Sequence, residues 1–158
     1  VERMREFADL ETGVTLAVSL HAPNDSIRRQ LMPIANRVNM EELMAACRYY
    51  TERTHRRITF EYALAQGVND APEHARELAG RLRGLLCHVN LIPVNPVRER
   101  SLLASENPRI QRFLSILEQE KIPVTLRREM GRDIDAACGQ LRRRYEEQEG
   151  KDEDSVSV

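Results

Sequence analysis

Strand-like and helix-like segments alternate along this chain of 158 residues, and that order restricts the fold to few architectures. Branched and aromatic residues predict strands at residues 14–20, 58–64, 87–92 and 123–126. Helical spacing of apolar residues predicts helices at residues 1–10, 39–54, 71–84 and 107–117. Because strands joined by helices pair in parallel through right-handed crossovers, the sequence predicts an α/β fold with a parallel sheet. In such a sheet, function is expected at the carboxyl ends of the strands.

Local signals mark where several elements begin and what they bury. Asn39 followed by Glu42 predicts a capping box at the start of a helix that buries Cys47. Asp70 is expected to cap the next helix. The apolar run at 14–20 predicts a strand that is covered on both faces.

Composition limits the class of protein. A hydrophobic content of 41% is ordinary for one soluble globular domain. No apolar run approaches the roughly 18 residues that span a bilayer, and no signal sequence is apparent, so we expect a cytoplasmic protein without a membrane partner. Residues 1–145 are expected to form the folded part, and the acidic residues 146–158 a disordered tail.

The three cysteines, Cys47, Cys87 and Cys138, lie far apart in the chain. This spacing favours neither a disulfide framework nor a clustered metal site, so no metal ligand is assigned. Cys138 stands between two alanines and a glycine, with arginines on both sides. Small neighbours leave a thiol accessible and cations favour the thiolate, which makes Cys138 a candidate nucleophile. The alternative is a buried structural cysteine.

Arginine dominates the basic residues, since only two of the 24 are lysine. The guanidinium group suits phosphate contacts and base stacking, so Arg127, Arg128 and Arg132, which precede Cys138, are candidate RNA contacts. A genome that favours arginine codons would explain the same bias. For the arginines at 142–144, a solvated helix face is an equal alternative.

Polar residues follow the predicted strands. His21 closes the first strand beside Ser19, where a histidine can hydrogen-bond a ligand or cap the adjacent turn. Asn95 follows the third strand and can donate and accept, although asparagine before proline is often a turn residue. Glu61 lies on the strand face opposite its aromatic neighbours, as either a solvated residue or a buried polar anchor.

Four stretches, in the same order, resemble one family. They are LAVSLHAPND at 16–25, FEYAL with GVND within 60–70, CHVNLIPVNP at 87–96 and DIDAACGQL at 133–141. Together they are similar to the radical SAM RNA adenine methyltransferases of the RlmN and Cfr group, and the first and third favour the RlmN type. The resemblance covers roughly residues 1–145, and four ordered stretches are far more specific than one short motif.

This resemblance implies that the strands form the second half of a partial (β/α) radical SAM barrel, followed by a C-terminal strand, loop and helix. It also implies that Ser19, Leu20, His21 and Asn95 bind S-adenosylmethionine, and that Cys138 is catalytic through an S-methylcysteine intermediate. The Cys-x3-Cys-x2-Cys run that binds the family's 4Fe-4S cluster does not occur in this sequence. We therefore expect the cluster ligands upstream, and a C-terminal part that is inactive by itself.

The activity that the resemblance implies is methylation of carbon 2 of adenosine in 23S ribosomal RNA and tRNA. Because that carbon is not nucleophilic, the family methylates its own cysteine first and releases the product through a disulfide with a second, upstream cysteine. An electron donor such as flavodoxin and a monomeric state are also expected. Two alternatives stay open: a Cfr-type enzyme that methylates carbon 8, and a non-enzymatic α/β module that binds a nucleotide or RNA.

Overall fold

A computed structural model of the chain describes residues 1–10, 13–93 and 103–127. The helices in these ranges are α1 (Glu2–Asp9), α2 (Asp25–Leu31), α3 (Met40–Thr54), α4 (Pro72–Leu82) and α5 (Asn107–Gln119), with a 3-10 turn at Pro33–Asn36. The strands are β1 (Ala17–Ser19), β2 (Ile58–Leu64), β3 (Cys87–Pro93) and β4 (Val124–Leu126). Each strand and helix that the sequence predicts in these ranges is present.

The four strands form one sheet in the order β1-β2-β3-β4, and every neighbouring pair is parallel. The register aligns Val18 with Phe60, Phe60 with Val89, and Val89 with Val124. Because side chains alternate between the two faces of a strand, these four residues share one face. The predicted α/β fold with a parallel sheet is therefore confirmed.

One face of the sheet forms the core against the helices. Ile58, Phe60, Tyr62 and Leu64 of β2 are each 0% exposed. Phe113 of α5 packs against Tyr62 with a ring centroid distance of 5.2 Å. Each large apolar side chain buried in this way contributes about 1.5 to 3 kcal/mol to stability, so this face holds the sheet and helices together.

Side-chain capping bonds stabilise the amino ends of two of the helices. At α3, Asn39 Oδ1 accepts from Glu42 N at 2.8 Å, and Glu42 Oε2 accepts from Asn39 N at 3.2 Å, which confirms the predicted capping box. At α2, Asn24 Oδ1 accepts from Ile27 N at 3.0 Å. These bonds satisfy N–H groups that have no partner within the helix.

The prediction that Asp70 caps α4 is wrong. The residue at the N-cap position is Ala71, and the Asp70 side chain serves other donors. Its carboxylate accepts from Gly67 N at 2.9 Å, from Ser105 Oγ at 3.0 Å and from Arg109 Nη1 at 3.2 Å. Asp70 therefore ties the turn after β2 to the start of α5 instead of closing a helix end.

Strand β1 is shorter than predicted, and within the described residues only one of its faces is covered. Within the run at 14–20, the strand comprises Ala17–Ser19, with Val18 buried and its two neighbours exposed. Val14 is 46% exposed. The expected second layer is absent because Ala17 and Ser19 belong to a sheet face that no helix of the described residues covers.

Several predictions lie outside the described residues. They concern the acidic tail at 146–158 and the loop and helix expected after β4. Within residues 1–10, 13–93 and 103–127, no helix combines the length and the apolar character that crossing a membrane requires.

Candidate functional site

The carboxyl ends of β1 and β2 lie side by side because the two strands are parallel neighbours, with Ser19 opposite Glu61. Beyond β1, the N–H groups of Leu20 and His21 both donate to Glu61 O, at 3.0 and 3.3 Å. Ser19 is exposed and His21 is partly buried, whereas Leu20 is 1% exposed and belongs to the core. Of these three predicted cofactor residues, Ser19 and His21 therefore present side chains at the strand end, and Leu20 offers its main chain.

His21 extends the sheet one step past β1. Its φ of 56° lies in the left-handed region, which a non-glycine residue adopts at a cost of about 1 kcal/mol or more. In this conformation its ring Nδ1 accepts from Ala63 N at 3.0 Å. The imidazole thus accepts a hydrogen bond from β2 that a main-chain carbonyl group of a neighbouring strand would otherwise accept. The ring consequently lies fixed at the carboxyl edge of the sheet.

The hydrogen bond of His21 determines which ring atom remains available. Because Nδ1 accepts, the proton of the neutral ring lies on Nε2, and among the described residues no partner accepts from it. Burial lowers the pKa of His21, Glu61 opposes that shift and Arg28 adds to it. The ring is therefore neutral near pH 7 and can donate one hydrogen bond from Nε2 to a ligand.

Asn69 holds this arrangement together, a role that no sequence signal assigned to it. It is 0% exposed, and its Nδ2 donates to His21 O at 2.7 Å and to Ala63 O at 2.6 Å. Its Oδ1 accepts from Ala65 N at 2.8 Å, and its main-chain oxygen accepts from the Tyr62 hydroxyl at 2.9 Å. The available signal was an asparagine in the turn between β2 and α4, where its side chain can bond to nearby main-chain donors and acceptors.

The uncovered face of the sheet carries a polar row that begins at the same strand end. Ser19, Glu61, Asn90 and Thr125 are in register across the four strands. Asn90 Nδ2 donates to both carboxylate oxygens of Glu61, at 3.1 and 3.3 Å. Glu61 is partly buried, so it is a hydrogen-bonded residue on an open polar face and neither of the two extremes that the sequence left open.

Two of the three cysteines are not nucleophiles at neutral pH. Cys47 is 0% exposed and Cys87 is 3% exposed, which confirms the prediction that Cys47 is a core residue. Burial raises the pKa of Cys47 to about 12 and that of Cys87 to about 11. Both thiols are therefore protonated near pH 7, whereas nucleophilic chemistry requires the thiolate.

The remaining predicted site residues divide into one that the structure describes and four that it does not. Arg127 is exposed directly after β4, and its N–H donates to Leu91 O at 2.8 Å. The other four, which lie outside the described residues, are Asn95, Arg128, Arg132 and Cys138.

A groove in the described part lies away from this edge of the sheet. It has a volume of about 720 Å³, and Arg5 of α1 and Arg37, Asn39 and Glu42 at the start of α3 line it. Its lining mixes cations with carboxylates, and none of the strand-end residues contributes to it. The hydrogen-bonding groups at the carboxyl edge of the sheet are therefore a better guide to function than the size of this groove.

Comparison with curated proteins finds many relatives with one name. The chain is 54% identical over 147 residues to a probable dual-specificity RNA methyltransferase RlmN of Lachnospira eligens, covering 93% of this chain and 42% of that protein. It is 56% identical over 145 residues to a protein of the same name from Caldanaerobacter subterraneus, covering 92% and 42%. The matches are to the C-terminal part of these proteins, so the chain spans about two fifths of their length. No family model matches the chain.

Solved structures agree with this result. A radical SAM methyltransferase from Sphaerobacter thermophilus superposes with a TM-score of 0.84 at 51% identity, covering 88% of this chain and 41% of that one. A domain of a pyruvate-formate lyase-activating enzyme from Bacteroides vulgatus gives a TM-score of 0.63 at 18% identity, over 78% and 74%. At that identity, the second likeness supports the fold alone.

Proposed function

Because the chain belongs to the RlmN-type radical SAM methyltransferases, whose C-terminal part it matches, we propose that it is part of an RNA methyltransferase. The proposed reaction is transfer of a methyl group to carbon 2 of adenosine in 23S ribosomal RNA and in tRNA. The relatives are named probable dual-specificity RNA methyltransferases, which supports RNA as the substrate class.

The observation that carries the proposal is the fixed, neutral His21 beside Ser19 at the carboxyl end of β1. S-adenosylmethionine presents adenine ring nitrogens, ribose hydroxyl groups and a methionyl carboxylate, which together need both donors and acceptors. His21 Nε2–H supplies a donor, and the Ser19 hydroxyl supplies both. The described residues therefore fit S-adenosylmethionine at this edge, with Asn95 as a proposed further contact.

In this proposal each residue has a separate task. Ser19 and His21 bind and orient the cofactor, while Leu20 contributes only its main chain because its side chain is buried. When bound, S-adenosylmethionine supplies the methyl group, and a 4Fe-4S cluster with ligands outside this sequence supplies an electron. Cys138 would accept the methyl group as S-methylcysteine. A radical formed from a second S-adenosylmethionine would remove one hydrogen atom from that methyl group, and its carbon would then bond to the base. The carbon–sulfur bond would break as Cys138 forms a disulfide with the second, upstream cysteine. A flavodoxin-like protein is the proposed electron donor.

RNA binding is proposed for the arginines near Cys138. Arg127 is exposed at the end of β4, on the same strand edge as β1 and β2 because the sheet is parallel. Its guanidinium group can donate two hydrogen bonds to one phosphate. Arg128 and Arg132 are proposed to extend this contact. Cytoplasmic location and a monomeric state complete the proposal.

Nucleoside analysis tests the function. The full-length protein that contains this chain, with its cluster reconstituted under anaerobic conditions, is incubated with unmodified ribosomal RNA and tRNA. We expect 2-methyladenosine after digestion and mass spectrometry. Formation of 8-methyladenosine would identify the Cfr-type activity instead, and RNA without new methyl groups would support the non-enzymatic RNA-binding module.

A further inference from the structure

Glu61 occupies a position that the proposed function leaves unused. It is the single acidic residue among the residues of the four described strands. It lies on the uncovered face, with Ser19 in register on one side and Asn90 on the other. Neighbouring strands of a sheet lie about 4.8 Å apart, so a ligand that contacts the Ser19 hydroxyl on this face is within reach of Glu61.

The Glu61 carboxylate is held in place and still has capacity to accept. Both of its oxygens accept from one group, Asn90 Nδ2, at 3.1 and 3.3 Å. A carboxylate offers about four acceptor positions, so about two remain. Within the described part of the chain, no cation forms an ion pair with it. A partly buried carboxylate with a neutral partner is suited to a ligand that brings further donors.

The donors that best match a carboxylate with two open positions are two adjacent hydroxyl groups. Acidic side chains on parallel sheets bind ribose hydroxyls in this way in dinucleotide-binding folds. We propose that Glu61, oriented by Asn90, binds the ribose hydroxyl groups of the adenosyl cofactor beside Ser19. This inference rests on the proposed function, since it takes the Ser19 edge as the site of that cofactor.

Binding to two ligands that differ by one hydroxyl group tests the contact. In the full-length protein, isothermal titration calorimetry compares S-adenosylhomocysteine with its 2′-deoxy form, for the wild type and for Glu61→Gln. Since a hydrogen bond to a charged group is lost, Glu61→Gln should weaken binding of S-adenosylhomocysteine about tenfold or more. For the 2′-deoxy ligand, the same substitution should weaken binding less than about threefold.

Thr59→Val is the matched control, because Thr59 lies on the same face of β2, two residues toward its amino end. It should leave the affinity for both ligands unchanged. If Glu61→Gln fails to fold, Asn90→Ala replaces it and should weaken binding of S-adenosylhomocysteine more than binding of the 2′-deoxy ligand.

Two results would overturn the inference alone. The first is an equal loss of affinity for both ligands in the Glu61→Gln protein, and the second is no loss of affinity for either. Both count only if the wild type binds S-adenosylhomocysteine and Ser19→Ala weakens that binding. A folded wild-type protein that binds neither ligand would instead contradict the cofactor site of the proposed function, and this inference with it.

Discussion

The side-chain amide of Asn69 donates to the main-chain carbonyl of His21 at 2.7 Å, across 48 residues of sequence. The same amide donates to Ala63 O, and His21 Nδ1 accepts from Ala63 N. These three bonds connect the end of β1 to the end of β2 and hold His21 in its left-handed conformation. The proposed cofactor edge therefore depends on a residue that need not touch the cofactor.

Replacing Asn69 tests this dependence. Asn69→Ala leaves two carbonyl groups and the Ala65 N–H without their buried partner, so the free energy of unfolding should fall by about 3 kcal/mol. Urea denaturation of the full-length protein measures the change. Asn36→Ala removes an exposed asparagine and should cost less than about 0.5 kcal/mol. Equal effects of the two substitutions would mean that the Asn69 bonds add little.

The lowered pKa of His21 predicts a pH dependence of stability. The unfolded histidine has a pKa of 6.5, so between that value and the lower folded pKa the unfolded state binds more protons. Stability should therefore fall on acidification from about pH 7.5 through this window. Protonation also turns Nδ1 into a donor facing the Ala63 N–H.

Thermal melting of the wild type and of His21→Gln, followed from pH 7.5 to 5, separates this contribution. The variant should lose less stability on acidification than the wild type. Some dependence will remain, because burial also lowers the pKa of His88, with a further contribution from Arg57. Parallel curves for the two proteins would refute the assigned role of the His21 ring.

Thiol labelling tests the burial of two cysteines. With pKa values raised to about 12 and about 11 by burial, Cys47 and Cys87 hold almost no thiolate at pH 8. In the native full-length protein, both should resist iodoacetamide, and both should react once urea unfolds it. Peptide mass spectrometry measures the labelled fraction. Rapid native labelling of either residue would show that it is accessible.

The ion pair of Asp70 and Arg109 should respond asymmetrically to substitution. The Asp70 side chain is 1% exposed and that of Arg109 is 49% exposed. Asp70→Ala removes the acceptor of three donors and should cost about 3 kcal/mol of unfolding free energy. Arg109→Ala should cost about 1 kcal/mol, because its partner keeps the Gly67 and Ser105 bonds. Urea denaturation gives both values, and equal costs would contradict this account.

The fold follows from local sequence more completely than the site does. Alternation of apolar and polar residues at 58–64 predicted β2, and the pair Asn39 and Glu42 predicted the start of α3. Both signals depend on nearby residues alone. The length of β1 was overestimated, since an apolar run does not report whether a second layer covers it. Whether helices cover both faces of a strand depends on the whole fold.

The positions of Ser19 and His21 were predictable, because Ser19 ends β1 and His21 lies two residues beyond it; their role in cofactor binding stays a prediction. The role of Asn69 was not predictable, because its partner at position 21 is distant in sequence. Asp70 was misassigned for the same reason: Ser105 and Arg109 compete with the helix end for its carboxylate, and only the folded chain brings them close.

The most direct test of the proposed methyl transfer is the mass of the peptide that contains Cys138. Full-length protein purified from cells with its cluster intact should carry one added methyl group on that peptide, and none on the peptides with Cys47 or Cys87. Cys138→Ala should abolish methyl transfer to RNA while binding of S-adenosylmethionine survives. A methyl group found on another residue, or a Cys138→Ala enzyme that still methylates RNA, would contradict the account.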